Sequence, residues 1–86
     1  MQAQIRPNII SNEEEVEILL SMVERGKVNI EIVNIAGQVI YRMTHLQATS
    51  GETSIKVPTI NLENGLYLVC LEFENQKLIQ KMVVSR

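Results

Sequence analysis

Apolar and polar residues alternate along most of this chain. The repeat is every second position, the pattern of a half-buried strand, and not the wider spacing of a helix. Val16, Ile18 and Leu20 alternate through Glu15–Met22, which predicts a strand. The preceding "SNEEE", Ser11–Glu15, is a polar turn, although Ser11 or Asn12 can also be read as a helix cap. "VERGKV" reads as a turn centred on Gly26, where a positive φ is cheap. Val28, Ile30 and Ile32 then alternate with Asn29 and Glu31. Ala36-Gly37 turns the chain, and Val39, Tyr41 and Met43 alternate with Ile40, Arg42 and Thr44, which predicts a hairpin. Gln47–Glu52 reads as a loop, Ile55 and Val57 mark the next strand, and Pro58 ends it.

"LYLVCLEFE", Leu66–Glu74, is apolar on both faces, the mark of a strand in the middle of a sheet. "KLIQKMVVSR", Lys77–Arg86, returns as its partner, with a core face through Leu78, Met82 and Val84 or through Ile79 and Val83. Lys77, Lys81 and Arg86 then project together as a basic face. The opening "QAQIRPNII" is an edge strand or an irregular lead-in, because Pro7 cannot donate to a ladder. The pattern predicts an all-β fold, an immunoglobulin-like antiparallel β-sandwich of about seven strands.

Composition agrees. Val and Ile far outnumber Leu, and Ala occurs only three times in 86 residues, a bias towards strand. The length suits one domain, residues 1–86, read as a piece of a larger protein. A net charge of −2 supplies no basic excess for a phosphate backbone, so nucleic acid is not expected as a partner. No apolar run reaches the about 18 residues of a membrane-spanning helix. Free sheet edges predict a monomer or weak dimer.

Little of the chain suggests catalysis. There is no Asp, one His and one Cys, so neither a Ser-His-Asp set nor a zinc cluster can form. No phosphate-binding glycine motif occurs, and no cofactor is expected. His45 reads as a surface histidine, and Cys70, among apolar neighbours, as a buried inert thiol. The aromatics are Tyr41, Tyr67 and Phe73 alone, which weakens a carbohydrate-binding role. A second reading is an immunoglobulin-like adhesion or spacer module.

Four stretches go further. "GKVNIEIVNIAGQVIYR" resembles G-x-V-x-(I/V)-x-(I/V)-x-(D/N)-x-x-G-x-x-V, carried by Gly26, Val28, Ile30, Ile32, Asn34, Gly37 and Ile40 or Val39. "INLENGLYLVCLE" resembles L-x-x-G-x-Y-x-V, carried by Leu62, Gly65, Tyr67 and Val69. "KLIQKMVVSR" resembles a lysine-rich final strand, with Ser85 as a non-basic departure. "RPNII" resembles a Y-P-N-P opening through Pro7 and Asn8, with Arg6 in place of the aromatic and Ile9 in place of the second proline. Their order resembles the type A C-terminal sorting domain of proteins exported by the type IX secretion system of Bacteroidetes, over roughly Ile5–Arg86.

The resemblance implies a secretion signal and no catalyst. Such domains carry cargo from the periplasm through an outer-membrane translocon to the cell surface or beyond. A sortase-like cysteine peptidase often removes the domain, cutting upstream of the fold, here near or before Met1–Arg6. Other family members keep it. On this reading Lys77, Lys81, Val83, Val84 and Arg86 are candidates for translocon recognition, while Pro7, Asn8, Gly26, Asn34, Gly37, Leu62, Gly65 and Tyr67 are structural motif positions. The plainer account of the basic residues is that they protect an edge strand from aggregation.

Overall fold

The computed structural model describes all 86 residues, Met1–Arg86. The strands are β1 (Gln2–Arg6), β2 (Ile9–Ile10), β3 (Glu15–Met22), β4 (Gly26–Asn34), β5 (Val39–Ala48), β6 (Gly51–Pro58), β7 (Gly65–Phe73) and β8 (Gln76–Val84). They form a three-stranded sheet, β1-β3-β6, and a five-stranded sheet, β2-β8-β7-β4-β5. The all-β sandwich expected from the alternation is present, with one strand more than anticipated. The extra strand is β2, which pairs parallel to β8 through Ile9–Val83 and Ile10–Val84, while every other pair is antiparallel.

The two sheets bury one face each. Val16, Ile18 and Leu20 of β3, with Ile55 and Val57 of β6, meet Val28, Ile30 and Ile32 of β4 and Val69 and Leu71 of β7 in one core. From β8 the core takes Met82 and Val84, with Leu78 partly buried against it, so the first of the two expected registers is the real one. Cross-sheet burial of this kind is the main favourable term in folding.

Several local expectations are corrected. Gly26 is not at the centre of a turn and has no positive φ; it begins β4. The glycine is needed because the ring of Phe73 lies against its backbone, and an added Cβ would fall 2.9 Å from the ring Cζ. The expected loop at Gln47–Glu52 shrinks to Thr49 and Ser50, because β5 continues to Ala48 and β6 begins at Gly51. Ala48 is fully buried and pairs with Gly26, which ties the end of β5 into the ladder.

The alternation in β5 also breaks. Val28 pairs with Leu46 and Ile30 with Met43, so Thr44 and His45 together oppose Asn29. This is a β-bulge. His45 has φ 57°, and its N–H donates to Asn29 Oδ1 at 2.9 Å. β7 is not buried on both faces: Tyr67, Val69, Leu71 and Phe73 enter the core, while Leu68 and Cys70 lie half-buried on the outer face. Cys70 is therefore not a core thiol. Its desolvation still pushes the thiol pKa up, and the Glu31 carboxylate beside it adds to the shift.

Candidate functional site

β8 sits between β7 and the two-residue β2. Val83 N–H donates to Asn8 O at 2.9 Å and Ser85 N–H to Ile10 O at 2.8 Å. Odd-numbered residues of β8 thus aim their backbone groups away from β7, while even-numbered ones bond to it. β2 covers only Val83 and Val84. The outward backbone groups of Lys77, Ile79 and Lys81 are left with no strand partner. Of these, Lys81 borders a cleft of about 320 Å³ beside β1, lined in part by Ala3, Arg6, Pro7, Asn8 and Gln80. Gln80 Nε2 bridges this gap to Ala3 O at 3.4 Å.

The five candidate recognition residues do not share one surface. Lys77, Lys81 and Val83 point outward from the five-stranded sheet, opposite Glu72, Leu68 and Leu66 respectively. Lys77 Nζ lies 3.5 Å from Glu72 Oε2. Lys81 makes no ion pair. Val84 points the other way and is only 1% exposed, so a partner cannot touch its side chain while the domain is folded.

Arg86 also leaves the basic face predicted for it. Its side chain folds over the end of the sandwich. Nη1 donates to Leu62 O at 2.7 Å, and Nη2 donates to Thr59 O at 2.7 Å and Glu13 O at 3.2 Å. Its backbone N–H donates to Asn64 Oδ1 at 2.9 Å, and Asn64 Nδ2 returns a bond to Arg86 O at 3.3 Å. The planar guanidinium suits this work, since it presents several donors in a fixed fork.

Thr59 is the hub on which this clamp closes. It is the one buried polar residue. Its N–H donates to Glu14 O at 2.7 Å and its hydroxyl to Glu13 O at 3.4 Å, while its carbonyl accepts from Leu62 N–H and from Arg86. A buried polar residue is tolerated when its groups are satisfied in this way. Glu13 caps the same corner: its carboxylate accepts from Ser11 N–H at 2.8 Å. That bond, more than the Arg86 charge, holds the Glu13 carboxyl below the usual carboxylate range. Neither Thr59 nor Glu13 is a motif position, and no local pattern marks them. Their partners are up to 73 positions away.

The motif positions behave as structural devices. Asn34 organises the β4–β5 turn: its Oδ1 accepts from Ala36 N–H at 3.0 Å and Gln38 N–H at 2.9 Å, and its carbonyl accepts from Gly37 N–H. Gly37 has φ 83°, which a side chain would resist. Tyr67 is buried in the core, but its hydroxyl reaches back to Glu63 O at 2.6 Å. A tyrosine bonded to backbone a few residues upstream is the corner device of immunoglobulin-like sandwiches. Leu62 N–H donates to Thr59 O in the same loop, and Gly65 starts β7 opposite Val84. Pro7 and Asn8 carry the chain from one sheet to the other, between β1 and β2.

Comparison with known proteins gives one family. A model described as the secretion system C-terminal sorting domain matches residues 7–85. No curated protein matches the chain.

Proposed function

The chain belongs to the secretion system C-terminal sorting domain family, and from that premise we propose that it is the folded delivery signal of an attached cargo protein. Membership supports a sorting signal for type IX secretion, a role in which the domain is recognised by the export machinery. The route runs through the periplasm and the outer-membrane translocon to the cell surface or the extracellular space. A sortase-like surface peptidase often removes such a domain by cutting upstream of its fold, and other family members keep it. The domain travels as a monomer or weak dimer.

The observation that carries this reading is a family match spanning nearly the whole of one sandwich, residues 7–85. The outward backbone groups of Lys77, Ile79 and Lys81, which have no strand partner, supply a means of recognition, since an extended segment of a receptor can add to an open sheet edge. Lys77, Lys81 and Val83 are the outward-facing residues of that region. Val84 and Arg86 serve the reading indirectly, by holding β8 in its register.

The test is a fusion of residues 1–86 to the carboxyl end of a secreted reporter. It is expressed in a bacterium with a working type IX system and in a strain lacking the translocon. Surface reporter in the first strain and periplasmic reporter in the second is the expected result. Periplasmic retention in both overturns the proposal.

A further inference from the structure

The two outer faces of the sandwich differ. On the three-stranded sheet, the outward positions of β1, β3 and β6 are polar apart from Leu19 and the terminal Pro58. Ser54 Oγ bonds Glu17 Oε2 at 2.5 Å, and Lys56 lies 3.9 Å from Glu15. That is the ordinary solvent face of an antiparallel sheet.

The five-stranded sheet is different. Its register lines up Val33, Leu68 and Lys81 in one row, and Leu66, Val83 and Ile9 in the next. Val39 extends the first row at the β5 edge, and Ile79 lies beside it on β8. Of these, Ile9 is 60% exposed and Ile79 62% exposed, with Val39 and Leu66 also open to solvent. Isolated surface aliphatics need no explanation, but a contiguous set across four or more strands marks a docking surface.

The charges on this face narrow the choice of occupant. It carries Lys27, Arg42, Lys77 and Lys81 against Glu31 and Glu72, so it is basic in a chain whose net charge is −2. Both glutamates are already paired, Glu31 with Arg42 at 2.7 Å and Glu72 with Lys77. Lys81 is left unpaired inside the apolar rows, with Leu68 across the ladder and Ile79 and Val83 on either side along the strand. A second copy presenting the same face would set this unpaired cation against another basic surface, a repulsive arrangement. An apolar surface carrying a carboxylate satisfies both features.

We propose that the outer face of the five-stranded sheet, centred on Leu68 and Lys81, docks a protein of the secretion machinery through an apolar patch whose carboxylate meets Lys81. This rests on the export reading and names the surface on which it acts. The face adjoins the open edge of β8, so one partner can engage both.

The experiment uses the same reporter fusion with three changes on this face: Lys81→Glu, Lys81→Arg, and the pair Leu66→Thr and Ile79→Thr. A control pair, Glu17→Lys and Ser54→Lys, alters the other outer face. Urea unfolding of each purified chain first establishes that it is folded. Lys81→Glu and the threonine pair are expected to lower surface reporter about tenfold or more, the scale of losing a central interface contact. Lys81→Arg keeps the charge and should retain more surface reporter than Lys81→Glu, while the control pair should export normally. If the unaltered fusion is exported and the folded face variants are exported equally well, the docking face is wrong and the export reading stands. If the unaltered fusion remains in the periplasm, the export reading fails and this proposal fails with it. A stable dimer of the purified domain, made monomeric by the threonine pair, assigns the face to a second copy and overturns the choice of partner.

Discussion

The guanidinium of Arg86 donates to the backbone carbonyl of Thr59 at 2.7 Å, joining the far end of β8 to the corner that follows β6. The same side chain reaches Leu62 and Glu13, so one residue fastens two separate loops, the one before β3 and the one after β6. Carbonyls at an irregular corner have no ladder partners, and this cation supplies them.

Replacing Arg86 with Ala should therefore destabilise the domain. Hydrogen bonds to a charged group, discounted for the exposure of Arg86, suggest a loss of about 1–2 kcal/mol. Arg86→Lys should recover only part of it, because an ammonium cannot span the carbonyls as a fork does. The difference is read from midpoints of urea unfolding, with the slope unchanged.

Tyr67→Phe tests the corner bond to Glu63. The ring stays in the core and only the hydroxyl is lost, so the expected cost is about 1 kcal/mol. In a domain this small, that is about 4–8 °C in the thermal midpoint. A calorimetric scan showing no change would remove Tyr67 from the set of structural devices.

Gly26→Ala should cost about 1–3 kcal/mol, because the new methyl meets the Phe73 ring. Shortening the ring, Phe73→Leu, makes room. The double variant should therefore be more stable than the two separate losses predict, and a double-mutant cycle measures that coupling. Additive losses would show that the ring does not dictate the glycine.

Acid stability follows from Glu13. Its folded carboxyl lies below its unfolded value, chiefly through the Ser11 N–H bond. Its contribution is present above the unfolded pKa and is lost as pH falls through the folded one. Glu13→Gln should thus flatten the acid limb of the stability curve below about pH 5 and leave the neutral plateau's slope unchanged. Unfolding midpoints across that range provide the check.

Cys70 acts at the other end of the scale. Its folded thiol titrates above the ordinary value, through desolvation and then the Glu31 charge. The folded state holds the proton longer than the unfolded chain, so stability falls as pH rises from the unfolded towards the folded pKa. Cys70→Ser should remove that alkaline slope. In the native protein, alkylation by iodoacetamide near pH 8 should be slower than for the same thiol in urea, because the thiolate is the reacting form.

The alternation of Val16, Ile18 and Leu20, and of Val28, Ile30 and Ile32, determined by itself which faces are buried, because a strand's side chains must alternate. Asn34-Gly37 and Gly65-Tyr67 were equally legible, since a turn and a corner use partners only a few residues away. Only the tertiary structure decided the rest. The tiny parallel strand β2 exists because Asn8 and Ile10 find Val83 and Ser85. Gly26 is a glycine because Phe73, far along the chain, packs on it. Cys70 faces outward because β7 has a core on one side only. Lys81 and Arg86, alike in sequence as basic residues of one strand, have different surroundings: one stands unpaired on an apolar face, and the other closes on Glu13, Thr59 and Leu62. The physical reason is the same throughout. Periodicity reports what a residue's neighbours in the chain require, whereas these roles are set by atoms brought close only when the two sheets meet.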